Sequence, residues 1–225
     1  MWRTQAFRYS AQEKYTKGAQ MLADGAVAML AIGQAQLGAD LALNILDIFE
    51  NEKKPAADEA VQVLLDVCAR FPADDGENLS SQHKKKLLGT AVRWSAKAPG
   101  GKPQGHARLH TELARISWDE QDLLAASNHF ARGDTPRDFA AFLVEWCKLG
   151  QESERELFLV RGVLQLLHMD NMADAKLTIE AFRGAVELPH SPLINFLGLL
   201  LSALEQGEYE LFAMLVRPPL ERTET

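Results

Sequence analysis

The sequence predicts an all-α fold: an α-solenoid of antiparallel helix pairs, tetratricopeptide-like in plan, running over residues 1–225. Three observations predict it. Apolar residues recur at helical spacing almost from end to end. No segment sustains the period-two alternation of β-branched residues that a half-buried strand needs. Glycine and proline punctuate the chain between helical stretches rather than inside them.

Read from these breakers, helices are expected at about 2–12, 14–32, 35–52, 58–71, 79–97, 106–118, 121–132, 135–149, 153–169, 171–187, 191–206 and 208–217. Gly33 closes the second, Lys54-Pro55 the third, and Pro72 with Asp74-Asp75-Gly76 the fourth. The longest interruption is APGGKPQG, Ala98 to Gly105, too rich in Pro and Gly for helix or strand. It separates an N-terminal half, 1–97, from a C-terminal half, 106–217. Later stops are Gly133, Gly150, Pro189 with Pro192, and Gly207, with Asp134 or Thr135 as an N-cap. Short connections between helices of similar length imply antiparallel neighbours.

Internal similarity points the same way. DEQDLLAASNHFARGDT, Asp119 to Thr135, has the plan of the second half of a tetratricopeptide unit, with small Ala126 where helices approach and His129-Phe130 on the packing face. EKYTKGAQMLADGAVAML repeats it, with Tyr15, Gly18, Ala19 and Leu22 at helical spacing.

Composition narrows the function. A chain of 225 residues that is 47% hydrophobic is long enough for a large domain or a short array of stacked units. Its longest apolar run, LINFLGLLL, is about half of a membrane span and contains Asn195. No signal-peptide core is visible at the N-terminus. Cys68 and Cys147 lie inside apolar helical patterns, as buried small hydrophobes of a reducing compartment do. The expectation is a cytosolic protein with no direct membrane insertion. The net charge of −7 falls entirely in residues 101–225, opposite to the basic balance of a nucleic-acid binder.

Candidate chemistry is thin. Gly33 and Gly38 have the glycine spacing of a phosphate loop, but Ala39-Asp40 stand where Lys-Ser/Thr should follow, and a carboxylate there repels a triphosphate. His106 and His110 in HARLH share a helix face, yet Ala107 occupies the position of a zinc-protease glutamate and nothing nearby completes a closed site. HKKKLL, His83 to Leu88, is the densest basic cluster and reads as a solvated face. Ser127 and His129 point to different faces, and Glu152, Glu154 and Glu156 suit a charged first turn. We therefore expect no enzyme, no cofactor and no metal. A peptide-clamping tetratricopeptide co-chaperone is the alternative, using Asn44, Lys14 and Lys17, though the repeats lack the regular pattern that would align them.

Several stretches, in order and covering nearly the whole chain, resemble one family. They are RTQAFRYSAQEKY, DGAVAMLAIGQAQLGADLALNILDIFE, RFPADD, AVRWSAKA, GHARLHTELA, AASNHFARGDTPRDFAAFLVEW and PLINFLGLLLSALEQG. The family is Golgi-to-ER traffic protein 4, the adaptor of tail-anchored membrane-protein targeting. The resemblance implies an α-solenoid without catalysis that bridges two partners. N-terminal helices would dock on the targeting ATPase and C-terminal helices would hold a ubiquitin-like protein, joined in animals by a large BAG-family scaffold. Carried onto this chain, the ATPase contacts fall on Arg3, Arg8 and Asp40, with Lys14 and Lys17 added as helical neighbours. For the ubiquitin-like partner the apolar residues of the last helices are expected: Phe196, Leu197, Leu200, Phe212 and Leu215. Against the family pattern, the chain begins within the second family helix, the connection between Glu187 and Pro189 is shorter than the family's insertion, and RPPLERTET stops before a final helix. Missing terminal helices would leave an uncapped apolar edge.

Overall fold

A computed structural model describes residues 2–11, 15–72, 79–187 and 191–216. Lys14, Asp74-Asp75-Gly76, residues 188–190 and residues 217–225 lie outside them. The described residues form α1 (Trp2–Ala11), α2 (Tyr15–Ala31), α3 (Ala35–Asn51), α4 (Asp58–Cys68), α5 (Leu79–Lys97), α6 (Ala107–Asp119), α7 (Leu123–Phe130), α8 (Pro136–Cys147), α9 (Arg155–His168), α10 (Met172–Ala185), α11 (Pro192–Gln206) and α12 (Tyr209–Val216), with no strand among them. Contacts divide the chain into two compact units, Met1–Asp134 and Thr135–Thr225.

Most boundaries lie within two residues of those expected. The fourth helix is the exception: it stops at Cys68 because Arg70 and Phe71 bond back only three residues, to the carbonyls of Val67 and Cys68, ahead of Pro72. Before α9, Glu152–Glu154 form a separate 3₁₀ turn.

In the first unit α1, α2 and α3 lie side by side, and a seam of small residues on α2 and α3 (Gly18, Ala19, Ala23, Ala26, Gly38, Ala39 and Ala42) is buried. Gly33 makes the corner. Its φ of 77° is the left-handed conformation that L-residues resist, and there Gly33 N–H reaches the carbonyl of Leu30 (3.1 Å) while Gln34 N–H reaches that of Met29 (2.9 Å). The glycine pair noticed in the sequence is thus the end of one helix and the buried start of the next. A Cβ on Gly38 would sit 2.6 Å from the Leu30 side chain.

The same corner recurs with side chains that tolerate it less well. Lys53 (φ 53°), Gln121 (φ 62°) and Asp170 (φ 58°) each close a helix in this conformation, and the residue after each bonds to a carbonyl five positions back. Lys53 is exposed, and its neighbour Lys54 rests over the Phe49 ring at 5.1 Å. Exchanging Lys53→Gly should stabilise the chain by about 1 kcal/mol through relief of left-handed strain. A rise of the thermal midpoint measured by circular dichroism is the expected result.

Farther along the first unit, α3 and α5 run parallel. The rings of Phe49 and Trp94 meet at a tilt, centroids 5.1 Å apart, in their C-terminal halves, while Gln36 meets His83 near their N-terminal ends. Helices α6 and α7 form a hairpin around fully buried Ala126, with Phe130 edge-on to Trp118. In the second unit, Phe139, Phe142, Leu143 and Phe182 are buried where α8 meets α9 and α10. Gly162 permits the approach of α9, since a Cβ there would lie 2.6 Å from Leu143.

The α6/α7 hairpin also holds a histidine pair. Buried His110 faces the carbonyl of Gln104 through Nε2 (2.7 Å) and His129 through Nδ1, with Nδ1 to Nδ1 at 2.9 Å. A carbonyl only accepts, so His110 carries its proton on Nε2, and His129 must donate from Nδ1. Burial is the main cause holding both below the ordinary imidazole value, with Arg132 adding to it, and His129, which also faces His110 and Lys85, is pushed down to about 4 against a small opposing pull from Asp122.

Between 6.5 and about 4 the unfolded chain binds a proton on His129 that the folded chain does not, so stability is present above this window and lost as pH falls through it. The thermal midpoint should fall from pH 7 to pH 4.5 more steeply in wild type than in His129→Asn, whose amide donates without titrating. Parallel pH profiles of the two chains would contradict this.

Candidate functional site

The residues expected on the first docking face meet in part. Arg3 of α1 and Asp40 of α3 form an ion pair at 3.7 Å, with 52% and 34% of their side chains exposed. Small residues at the α1/α2/α3 seam allow it. A Cβ on Gly25 would lie 2.9 Å from the Trp2 ring, so α1 rests directly on α2 and brings Arg3 over the start of α3.

Asp40 is held from two further sides. Gln36 Nε2 donates to Asp40 Oδ1 at 3.2 Å, and Asn44 Nδ2 donates to the Asp40 main-chain carbonyl. Beside the ion pair lies a cleft of about 360 Å³, floored by Ala6, Leu22 and Ile48 and rimmed by Arg3, Asp47 and Glu50. Arg8 is exposed in the last turn of α1, where a cation complements the helix dipole. Five residues separate it from Arg3, about 140° round the helix, so the two arginines address different directions. Lys17 is exposed on α2, and Lys14 lies outside the described residues.

The second candidate face is built differently. Leu197 and Leu200 are buried within the second unit, while Phe196, Phe212 and Leu215 are half-buried. No side chain of α12 is fully buried, although YELFAMLV is mostly apolar. Leu199, Tyr209, Met214 and Val216, absent from the sequence expectation, are more than half exposed. The signal that could have found Tyr209, Met214 and Val216 is α12 itself, whose apolar residues occupy every face rather than one stripe.

Other sequence candidates are taken up locally. His106 turns to Asp58 (3.3 Å) while His110 turns to His129, so the HARLH histidines do not converge. Lys85 and Ser81 both donate to Glu120; against its own slight burial, these bonds hold the Glu120 carboxyl below the usual range. Glu152 pairs with Arg155 (2.9 Å), Glu154 accepts from the Gln151 N–H, and Glu156 accepts from Ser191. Both cysteines are buried; burial pushes the Cys68 thiol up to about 12 and raises that of Cys147, so neither offers a thiolate. Among the described residues no helix is long and apolar enough to cross a membrane.

A family model described as Golgi to ER traffic protein 4 matches residues 12–218. The chain belongs to that family. It is 30% identical over 232 residues to the Golgi to ER traffic protein 4 homolog of Homo sapiens, covering 99% of this chain and 68% of that one. It is 28% identical over 245 residues to Protein GET4 of Arabidopsis thaliana, covering 96% and 75%. Among solved structures, the crystal structure of C. therm. Get4 matches with a TM-score of 0.81 at 25% identity, over 95% of this chain and 72% of that one. The all-α solenoid fold class expected from the sequence is therefore the fold of the family. Membership supports a role in Golgi-to-ER traffic, in a family of traffic proteins rather than of known enzymes.

Position 25 controls the first face. Gly25→Val should push the Trp2 ring away, loosen α1 and destabilise the chain by roughly 1–3 kcal/mol through overpacking. A lower thermal midpoint together with a red-shifted tryptophan emission is the expected outcome.

Proposed function

We propose that the chain is a non-enzymatic cytosolic adaptor in the targeting of tail-anchored membrane proteins to the endoplasmic reticulum. It docks the targeting ATPase on α1–α3 and holds a ubiquitin-like protein on its last helices, in animals with a BAG-family scaffold. The observation that carries the first contact is the exposed Arg3–Asp40 pair, which joins two helices into one polar surface with Asp47 and Glu50 beside it. Charged groups so arranged steer an oppositely patterned partner and fix its register. Any nucleotide belongs to the partner, since Ala39-Asp40 occupy the positions a phosphate loop needs for itself.

The second contact is apolar. Half-buried Phe196, Phe212 and Leu215 supply contact area, Leu197 and Leu200 are buried on the same helix as Phe196, and exposed Leu199 and Met214 add apolar area. Such a surface accepts an amphipathic segment. Tethering both partners on one scaffold raises the concentration of each near the other.

The deciding experiment is a binding titration of the chain against the targeting ATPase loaded with ATP. Asp40→Lys and Arg8→Glu should each weaken association by roughly tenfold at low ionic strength, with the difference shrinking as salt screens the face. Absence of binding by the wild-type chain at low salt would sink the proposal, and unchanged affinity in both variants would move the docking face elsewhere.

A further inference from the structure

The ion pair at Asp40 is one end of a longer chain of contacts. Asp40 accepts from Gln36 (3.2 Å), and the Oε1 of Gln36 faces Nε2 of His83 on α5 at 2.8 Å. Forty-seven residues separate these last two. His83 is held by the fold rather than by chance rotation: its ring lies 6.4 Å from that of buried Phe71.

The direction of every bond follows from what each group can do. An ionised carboxylate only accepts, so the Gln36 NH₂ must face Asp40 and its carbonyl oxygen must face His83. A carbonyl oxygen only accepts, so His83 carries its proton on Nε2. Nδ1 is then bare in the neutral ring, and it is buried without a hydrogen-bond partner among the described residues. Placing the proton on Nδ1 instead would bury an unpaired donor and leave Nε2 facing the Gln36 oxygen with no hydrogen between them. One tautomer is thereby selected, and with it one orientation of the Gln36 amide.

We propose that His83 is a positioning residue for Asp40. By donating to the Gln36 oxygen it anchors the far end of the amide and holds the Gln36 NH₂ against the carboxylate, so that Asp40 presents a fixed acceptor to the partner beside Arg3. The docking face thus extends from α1 and α3 onto α5. Gln36 is exposed; without His83 its amide is anchored at one end only and is free to leave Asp40 for solvent. The inference rests on the reading of α1–α3 as the ATPase-docking face.

The test uses the full chain labelled with ¹⁵N, and two variants. His83→Phe keeps a ring against Phe71 but removes the donor; His83→Gln keeps a donor. In wild type and His83→Gln the two Gln36 side-chain amide hydrogens should be dispersed, and in His83→Phe they should collapse towards free-amide values. Against the ATP-loaded targeting ATPase, His83→Phe should bind about three- to tenfold more weakly and His83→Gln within about twofold, the size of one neutral hydrogen bond. In an Asp40→Ala background His83→Phe should cause no further loss.

Unmoved Gln36 signals in His83→Phe would overturn the proposal, as would an equal loss of affinity with Asp40 already removed. Gln36 signals that respond in a chain unable to bind the ATPase would uphold the positioning and overturn only the docking reading.

Discussion

Close approach of the first three helices is the constraint on which the rest of the first unit depends. Gly18, Ala19, Ala23, Gly25, Ala26, Gly38, Ala39 and Ala42 are all buried, and none carries more than a methyl group. Side chains this small add little apolar area each, but they let neighbouring backbones come near enough for long residues at the rim to bridge between helices. Arg3 meets Asp40 for that reason. Larger residues in the seam would widen the spacing and leave the two charges on separate helices, each solvated alone. The polar surface is thus a consequence of an apolar seam.

Turn chemistry enforces the same geometry. Gly33, Lys53, Gln121, Asp170 and Gly207 all close helices with one left-handed residue and a bond reaching five positions back. Each such turn satisfies carbonyls that a helix end would otherwise leave unpaired. Where glycine stands in the turn, no Cβ resists. Where Lys53 or Asp170 stands, the bond from the next residue to the carbonyl five positions back holds the conformation all the same.

These local devices were legible in the sequence because they are written in neighbouring residues. Gly33, Pro72, the Ala98–Gly105 stretch and Gly207 mark their own breaks, and Ala126 and Phe130 declared a packing face before any partner helix was known. The pairing of Arg3 with Asp40 was legible only as a shared surface, through family resemblance. Gln36 with His83, His110 with His129 and Asp58 with His106 were not legible at all. Each joins residues 19 to 48 positions apart, and no periodicity within one helix reports which side chain lies across the groove in another. HARLH shows the limit well: spacing put two histidines on one face, and tertiary packing sent them to different partners.

The two proposed faces call on different physics, and the difference bears on how an adaptor would work. The first is polar, solvated and carried by a 3.7 Å ion pair whose members keep much of their exposure. Arg3 and Asp40 pair within the chain, and surface charges held in this way act on a partner by steering encounter and fixing register. The second presents Leu199, Tyr209, Met214 and Val216 to solvent beside half-buried Phe212 and Leu215. Covering such side chains removes apolar area from water, and differences of that sort appear mainly in the rate of departure. An adaptor built as proposed would hold one partner on its apolar helices, where departure is slow, and meet the other through its charged ones, where encounter is fast.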